Sequence, residues 1–232
     1  EKDNIERIIR EVLDLGIISF VLIVDDSSPD GTGNIADKLA AANFQVRVLH
    51  RLKKQGLGAA YVAGFRFVLG LPAGQAGLPV EKVITMDADF SHYPKDIHRL
   101  VEAAVNSDIV VGSRYIPGGA IVGWDMRRKL LSWIGTRIAR VLLGLKVRDC
   151  TAGFKCYDRR FLESLDLNAV SSQGYAFQVE MLFFAKTQGY SIKEIPITFR
   201  ERTLGKSKVD LREIGTFAVS MLVLAFRRLL DL

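Results

Sequence analysis

Two aspartates one residue apart, Asp87 and Asp89, are the side chains in this sequence best suited to chemistry. They follow the apolar run at residues 83–86, which is typical of a buried strand. Open α/β sheets bind ligands at the carboxyl ends of their strands, and Mg²⁺ or Mn²⁺ is typically held by one or two carboxylates together with substrate phosphates. The pair therefore predicts a divalent-metal site. The alternative interpretation is a turn that caps the next helix.

A second acidic turn follows the apolar run at residues 20–24. Its sequence, Asp-Asp-Ser-Ser-Pro-Asp-Gly at residues 25–31, favours a tight turn, and Asp26 could accept hydrogen bonds from a ribose or a base. The two roles are compatible. Gly56 and Gly58 precede a predicted helix and allow close approach of the backbone to a ligand. They match neither the dinucleotide-binding fingerprint nor the P-loop.

The composition limits the class of protein. A chain of 232 residues that is 49% hydrophobic can bury one sizeable core. Its net charge is +6, and residues 127–160 hold ten Lys or Arg against two Asp, a block that attracts the phosphates of a nucleic acid, a membrane surface or a small substrate. We expect no nucleic acid, because the sequence lacks the aromatic platforms and recognition motifs of such proteins. Two cysteines without zinc-type spacing indicate a reducing, cytosolic setting.

The elements that must position these residues follow a repeating order. Apolar runs at residues 20–24, 46–49, 83–86 and 109–111 alternate with helical patterns at residues 5–13, 35–39, 59–69 and 94–105. Because the runs are apolar on both faces, we predict an α/β fold whose mostly parallel sheet is covered by helices. The second half predicts helices at residues 129–143, 174–186 and 211–230 and an extended segment at 192–199.

The last predicted helix, residues 211–230, has an apolar middle at residues 217–226 that is bounded by charged residues. This stretch is too short to cross a bilayer, which requires about 20 residues. Apolar side chains cover nearly its whole circumference, which favours a helix that lies at a membrane interface or on a partner protein. A core helix is the alternative.

Seven motifs of this chain, in this order, resemble the polyprenol-phosphate (dolichol-phosphate) mannose synthase branch of the family-2 glycosyltransferases. They lie at residues 25–32, 56–58, 86–92, 112–115, 123–129, 174–181 and 202–208. The acidic turns are shared by many glycosyltransferases, whereas residues 124–129 and 202–208 are more specific to this branch. The resemblance implies a GT-A-like (Rossmann-like) catalytic domain over residues 1–210 and an amphipathic membrane-interface helix over residues 211–232. It also implies a strand that precedes Glu1.

By the same resemblance, three groups of residues form the site. The metal ligands would be Asp87, Asp89 and Ser91. The nucleotide-sugar would contact Glu1, Val24, Asp26, Asp87, Ala88, Asp89, Arg202 and Lys208. The acceptor phosphate would contact Arg114, Arg128 and Ser132, since a guanidinium offers a bidentate match to phosphate oxygens. Catalytic roles would fall to Asp89, Arg114 and Arg128. For any single arginine of the basic block, contact with solvent or a lipid headgroup is the alternative.

The implied activity is an inverting transfer of mannose from GDP-mannose to a polyprenyl (dolichyl) monophosphate, dependent on Mg²⁺ or Mn²⁺. The alternative is a glucosyl- or N-acetylhexosaminyltransferase that uses a UDP-sugar. The enzyme would act at the cytoplasmic face of a membrane, held by the membrane surface, by an anchoring partner subunit or by a following transmembrane segment. A monophosphate, with a second pKa near about 6, arrives ionised, so we expect no general base.

Three further residues have two interpretations each. His92 is expected to be structural rather than a base, because no second candidate ligand or proton acceptor accompanies it. Glu180 is either a buried hydrogen-bonding carboxylate or a wall of the site, and Trp124 packs either near the acceptor entrance or in the core. A regulatory protein that binds nucleotide without turnover is disfavoured by the paired aspartates.

Overall fold

The computed structural model of the protein describes residues 1–70, 80–201 and 211–230. The helices are α1 (Ile5–Leu13), α2 (Thr32–Ala42), α3 (Leu57–Gly70), α4 (Asp96–Ala103), α5 (Met126–Leu143), α6 (Arg159–Ser164), α7 (Tyr175–Thr187) and α8 (Leu211–Leu229). The strands are β1 (Val21–Asp25), β2 (Val46–His50), β3 (Lys82–Thr85), β4 (Ile109–Ser113), β5 (Ala120–Val122), β6 (Lys155–Asp158), β7 (Ile192–Pro196) and β8 (Thr198–Arg200).

The strands form three sheets. β1 and β2 pair in parallel, with Val21 opposite Val46. A four-stranded sheet has the order β3-β6-β4-β7, in which β4 and β7 are parallel and β6 runs antiparallel to both of its neighbours. β5 and β8 form a short parallel pair. The predicted α/β fold with parallel strands is confirmed, and the antiparallel β6 is an addition to the prediction.

The helix α1 shows how the apolar spacing produces packing. Its four isoleucine and valine side chains at positions 5, 8, 9 and 12 are all buried, as expected for one face of a helix. On the opposite face, Arg7 pairs with Glu11 and Arg10 pairs with Glu6, each at 2.9 Å. The buried face packs against β1 and α2, so α1 covers the sheet on the side of the first acidic turn.

A cleft of about 1420 Å³ lies between β1 and β3. Among the described strands, β1 pairs with β2 alone and β3 pairs with β6 alone, so each strand has one unpaired edge. Apolar side chains of α1, α3, β1 and β3 line most of the cleft, and Glu1, Asp26, Asp87 and Asp89 line it as well. The cleft therefore adjoins both acidic turns.

The helix α8 has a buried face and an exposed apolar face. Met221 and Leu224 belong to the main core, where α8 packs against α5 and α7. Leu222 and Leu229 are 66% and 81% exposed. Of the helices within the described ranges, none is long and apolar enough to cross a membrane. The helix is therefore anchored to the core along one stripe only.

Candidate active site

The two aspartates of the Asp-Ala-Asp motif follow β3 directly, as predicted, but they lie in different environments. Asp87 is 39% exposed at its side chain, whereas Asp89 is 8% exposed. Asp89 Oδ1 accepts a hydrogen bond from the Ser91 backbone N–H at 2.9 Å, across Phe90 in the left-handed region at φ 60°. A phenylalanine in this region costs of order 1–3 kcal/mol. The motif is therefore both a strained turn and a place where two carboxylates meet.

The donor set of this turn fits a hard divalent cation. Asp87 and Asp89 both line the large cleft and a second, smaller pocket of about 70 Å³. In residues 1–70, 80–201 and 211–230 there is no group of three or more His, Cys, Asp or Glu side chains that could hold a metal. Two carboxylates leave room for phosphate oxygens to complete a Mg²⁺ or Mn²⁺ shell. Ser91 is buried, its carbonyl accepts from the Arg200 N–H at 3.1 Å, and its role as a ligand stays a prediction.

His92 is hydrogen-bonded to the Asp-Ala-Asp turn at residues 87–89. Its Nδ1 accepts a hydrogen bond from the Asp87 backbone N–H at 3.3 Å, and its ring stacks on Phe154 at 4.9 Å between centroids. Burial lowers the pKa of His92, so the imidazole is neutral and carries its proton on Nε2. These contacts favour the structural interpretation of this histidine.

The first acidic turn divides its two aspartates between structure and site. Asp25 is buried and accepts from the Ser28 N–H, and it lies 3.3 Å from Nδ1 of His50. Asp26 lines the cleft and pairs with Arg51 at 2.8 Å. The structure therefore assigns Asp25 to the loop's internal bonding and leaves Asp26 at the cleft.

The other predicted donor residues are partly described. Val24, Ala88 and Glu1 line the cleft. Arg202 and Lys208 lie outside the described residues. The cleft thus brings together Glu1, Val24, Asp26 and Asp87 to Asp89, and these contacts with a donor stay a prediction.

Arg114 is held by a buried carboxylate that the sequence analysis did not identify. Its Nε and Nη2 donate to Asp149 Oδ2 and Oδ1, each at 2.7 Å, and its backbone N–H donates to Oδ2 at 2.9 Å. Burial alone would raise the pKa of Asp149, but the charge and hydrogen bonds of Arg114 lower it below its usual value. No local pattern marks Asp149, because its partner lies 35 residues earlier in the chain.

Arg128 and Ser132 lie on α5 near Arg114, but in different settings. The Arg128 guanidinium lies 4.0 Å from the Trp124 ring centroid, and its Nη1 donates to Glu201 at 2.7 Å. Ser132 Oγ accepts from the Tyr115 hydroxyl at 2.8 Å. Trp124 is 9% exposed and borders the small pocket, so it is both packed and at the site.

The small pocket brings the predicted acidic and basic groups together. Its lining includes Asp87, Asp89, Arg114 and Arg128, whereas Ser132 does not reach it. Glu180 does not line it either: this carboxylate is fully buried, accepts from the Ser172 N–H at 2.9 Å and lies 3.6 Å from Arg227. Glu180 is thus a buried hydrogen-bonding carboxylate. The pocket therefore brings two carboxylates and two guanidinium groups to one small space.

Comparison with known proteins connects this geometry to a family. The profile of Glycosyl transferase family 2 matches residues 1–166. The undecaprenyl-phosphate mannosyltransferase of Micrococcus luteus is 47% identical over 203 residues, which cover 88% of this chain and 81% of that protein. The polyprenol monophosphomannose synthase of Mycolicibacterium smegmatis is 45% identical over 212 residues, which cover 90% of this chain and 77% of that protein.

The fold is also similar to that of solved structures of glucosyl-3-phosphoglycerate synthase from Mycobacterium tuberculosis. The complex of that enzyme with Mn²⁺, UDP-glucose and phosphoglyceric acid has a TM-score of 0.67 and 19% identity, covering 98% of this chain and 75% of that chain. Its complex with Mg²⁺ and UDP has a TM-score of 0.64 and 18% identity, with the same coverage. At this level of identity, the likeness shows a common fold.

Proposed function

Because the chain belongs to glycosyltransferase family 2, we propose that it transfers mannose from GDP-mannose to a polyprenyl (dolichyl) monophosphate. The observation that carries the proposal is the small pocket, which Asp87 and Asp89 share with Arg114 and Arg128. Carboxylates suit a metal-bound diphosphate, and guanidinium groups suit an acceptor phosphate. The names of the two relatives support mannose as the sugar and a polyprenyl phosphate as the acceptor.

The chemistry is a single displacement. An oxygen of the acceptor phosphate forms a bond to C1 of mannose, and the bond from C1 to the GDP diphosphate breaks, with its electron pair leaving on GDP. Attack from the opposite face inverts the anomeric centre. Asp87 and Asp89, with Ser91, would hold Mg²⁺ or Mn²⁺, which supplies charge neutralisation at the departing diphosphate. The Mn²⁺ and Mg²⁺ complexes of an enzyme with this fold support the choice of metal.

The acceptor side needs cations and no proton acceptor. A phosphate monoester with a second pKa near about 6 is mostly dianionic at neutral pH, so its oxygen is ready to attack. Arg114 would present its remaining Nη1 to the acceptor phosphate, because Asp149 and Thr151 occupy its other side-chain donors. Arg128 would reach the same acceptor phosphate from α5. His92, neutral and packed between aromatic rings, is not required as a base.

The large cleft adjoins the residues that we propose to bind the donor. Among the described strands, β1 and β3 each have one unpaired edge at this cleft, and its lining is mostly apolar. The side chains of Glu1, Val24, Asp26 and Ala88 line this cleft beside the Asp-Ala-Asp turn. We therefore propose that the nucleotide of the donor binds at this cleft.

A thermal-shift screen tests the choice of donor. GDP-mannose, GDP, UDP-glucose and UDP-N-acetylglucosamine are each added with Mg²⁺, with Mn²⁺ or with a chelator. The proposal predicts that GDP-mannose and GDP raise the unfolding temperature only when a divalent metal is present. Stabilisation by a UDP-sugar, without an effect of GDP-mannose, would favour the alternative glycosyltransferase.

Arg128→Ala should raise the KM for a short, water-soluble polyprenyl phosphate by about 10- to 100-fold, because one charge-assisted hydrogen bond to the acceptor is lost. His92→Ala should retain substantial turnover per folded molecule. Steady-state kinetics at varied acceptor concentration measure both. The matched control is Arg137→Ala, an exposed arginine on the same helix, whose KM should match the wild type. Equal KM values for Arg128→Ala and Arg137→Ala would remove Arg128 from the acceptor site.

A lipid acceptor also requires access to a membrane, and α5 and α8 supply an apolar surface. The two helices pack together, with Gly135 of α5 against Phe217 of α8. They expose thirteen large apolar side chains at 39–81% of their area, among them Leu131, Ile134, Ile138, Val141, Val219, Leu222, Phe226 and Leu229. A surface of this kind marks an interaction site. We propose that it lies on the cytoplasmic face of a membrane, which agrees with the free thiols of Cys150 and Cys156.

Leu222→Glu combined with Leu229→Glu should lower binding to anionic liposomes by about tenfold or more, because two exposed apolar side chains leave the interface. Turnover of a short, water-soluble acceptor should be unchanged, since neither side chain is buried. Vesicle co-sedimentation and the transfer assay measure the two effects. The control is Phe44→Glu with Val105→Glu, two exposed apolar residues away from α5 and α8, which should bind as the wild type does. Unchanged binding of the α8 variant would assign this face to a partner protein.

A further inference from the structure

Gln178 of α7 is a buried side chain whose amide oxygen is hydrogen-bonded and whose amide nitrogen makes no well-formed hydrogen bond. It is 1% exposed, and its Oε1 accepts a hydrogen bond from Lys155 Nζ at 2.5 Å. The same Nζ lies 3.3 Å from the Gln178 carbonyl oxygen. Within the described residues its Nε2 makes no well-formed hydrogen bond, although the Tyr61 hydroxyl interacts with this side chain. Buried donors are rarely left in this state, so the exception calls for an explanation.

Lys155 fixes which end of the amide is open. An ammonium group has three donors and no acceptor, so it must face the amide oxygen and leave the NH₂ group on the other side. Burial lowers the pKa of Lys155 to about 7, and the charge of Asp149 opposes that shift. The ammonium form is therefore present at and just below neutral pH. In that form, Lys155 holds Gln178 as a hydrogen-bond donor toward the site.

The open NH₂ group faces the space above Gly153, beside the metal motif. A Cβ atom placed on Gly153 would lie 3.8 Å from Gln178 Nε2, 3.6 Å from Asp87 Oδ1 and 3.7 Å from the Tyr61 hydroxyl. Asp87, Gly153 and Gln178 also line the same small pocket. Three polar groups therefore surround one small space that the glycine keeps open.

The position of this space identifies its occupant, if the proposed function holds. The transferred hexose must lie between the leaving diphosphate at Asp87 and Asp89 and the acceptor phosphate at Arg114 and Arg128. These four residues and Gln178 line one pocket. A hexose presents hydroxyl oxygens, which are the acceptors that an open amide donor lacks. We propose that the Gln178 carboxamide, oriented by Lys155, donates a hydrogen bond to a hydroxyl group of the transferred sugar and helps to select that sugar.

Gln178→Glu is the decisive variant, because it keeps the size of the side chain and a partner for Lys155 but replaces the NH₂ donor with an acceptor. At pH 6.5 to 7, its kcat/KM for GDP-mannose should fall by about 10- to 100-fold. Its affinity for GDP with Mg²⁺, measured by calorimetry, should stay within about twofold of the wild type, since GDP lacks the mannose. The control is Gln188→Glu at the exposed end of the same helix, where kcat/KM should be unchanged.

Deoxy analogues of GDP-mannose identify the contact. With the wild type, the analogue that lacks the hydroxyl bound by Gln178 should show a loss of activity as large as the loss that Gln178→Glu shows with GDP-mannose. With the variant, removing that hydroxyl from the donor should cause little further loss. Equal further losses for every analogue, or a parallel fall in GDP affinity, would make Gln178 a structural residue and overturn the proposal. If the wild type transfers a different sugar, the proposed function fails, and the same comparison on that sugar's deoxy series decides the role of Gln178.

Discussion

Replacing Asp89 with Asn should reduce mannose transfer by about 1,000-fold or more while the protein remains folded. The asparagine retains an oxygen for the Ser91 N–H, so the turn after β3 keeps its internal hydrogen bond. It loses the negative charge, and a neutral amide holds a hard cation against a diphosphate poorly. Initial rates at saturating Mg²⁺ or Mn²⁺, together with circular dichroism, measure the effect. Asp89 is more buried than Asp87, so water compensates less well for the loss of its charge.

The control for this variant is Asp3→Asn, the same chemical change at an exposed aspartate on the N-terminal segment. Its rate should equal that of the wild type. A folded Asp89→Asn enzyme with normal turnover would show that Asp87 and Asp89 do not hold the metal.

Replacing Asp149 with Ala should lower the free energy of unfolding by about 3–5 kcal/mol, because the Arg114 guanidinium would remain buried without its counter-charge. The side chains of Asp149 and Arg114 are 0% and 6% exposed, so water cannot readily replace the carboxylate. Equilibrium urea unfolding measures the change. Transfer activity should fall as well, since the carboxylate fixes the direction of the arginine that we propose to bind the acceptor.

Asp96→Ala provides the comparison for this stability effect. Asp96 pairs with Arg99 at 2.7 Å, but the arginine is 46% exposed, and such pairs contribute about 0–1 kcal/mol. A loss of less than about 1 kcal/mol in Asp149→Ala would show that Arg114 finds another partner, and the account of this ion pair would be wrong.

The elements that the sequence predicts well are those whose apolar residues follow a single period. The helix α1 has its buried residues at the expected spacing, and β1 and β3 follow continuous apolar runs. β6 could not be predicted in this way, because its ends are Lys155 and Asp158. Both charges meet tertiary partners: Lys155 donates to Gln178, and Asp158 pairs with Lys82 at 2.9 Å as well as with its neighbour Arg160.

The same distinction applies to the site. Asp87 and Asp89 are predictable because a strand end and two carboxylates lie within a few residues, whereas Asp149 and Gln178 have no local pattern. Asp149 gains its role from Arg114, and Gln178 gains its role from Lys155, and both pairings form only when β4, β6 and α7 pack together. Motifs therefore indicate the residues that we propose to bind ligands, and the fold is needed to identify those that orient them.

The most direct test of the account is a transfer assay with radiolabelled GDP-mannose, a polyprenyl monophosphate and Mg²⁺ or Mn²⁺, with UDP-glucose and UDP-N-acetylglucosamine as competing donors. The account predicts an organic-soluble mannosyl lipid, formed only when the metal and the lipid phosphate are both present, and inverted at the anomeric carbon relative to the donor. A lipid product from a UDP-sugar but not from GDP-mannose, or binding of GDP-mannose without any lipid product, would contradict it.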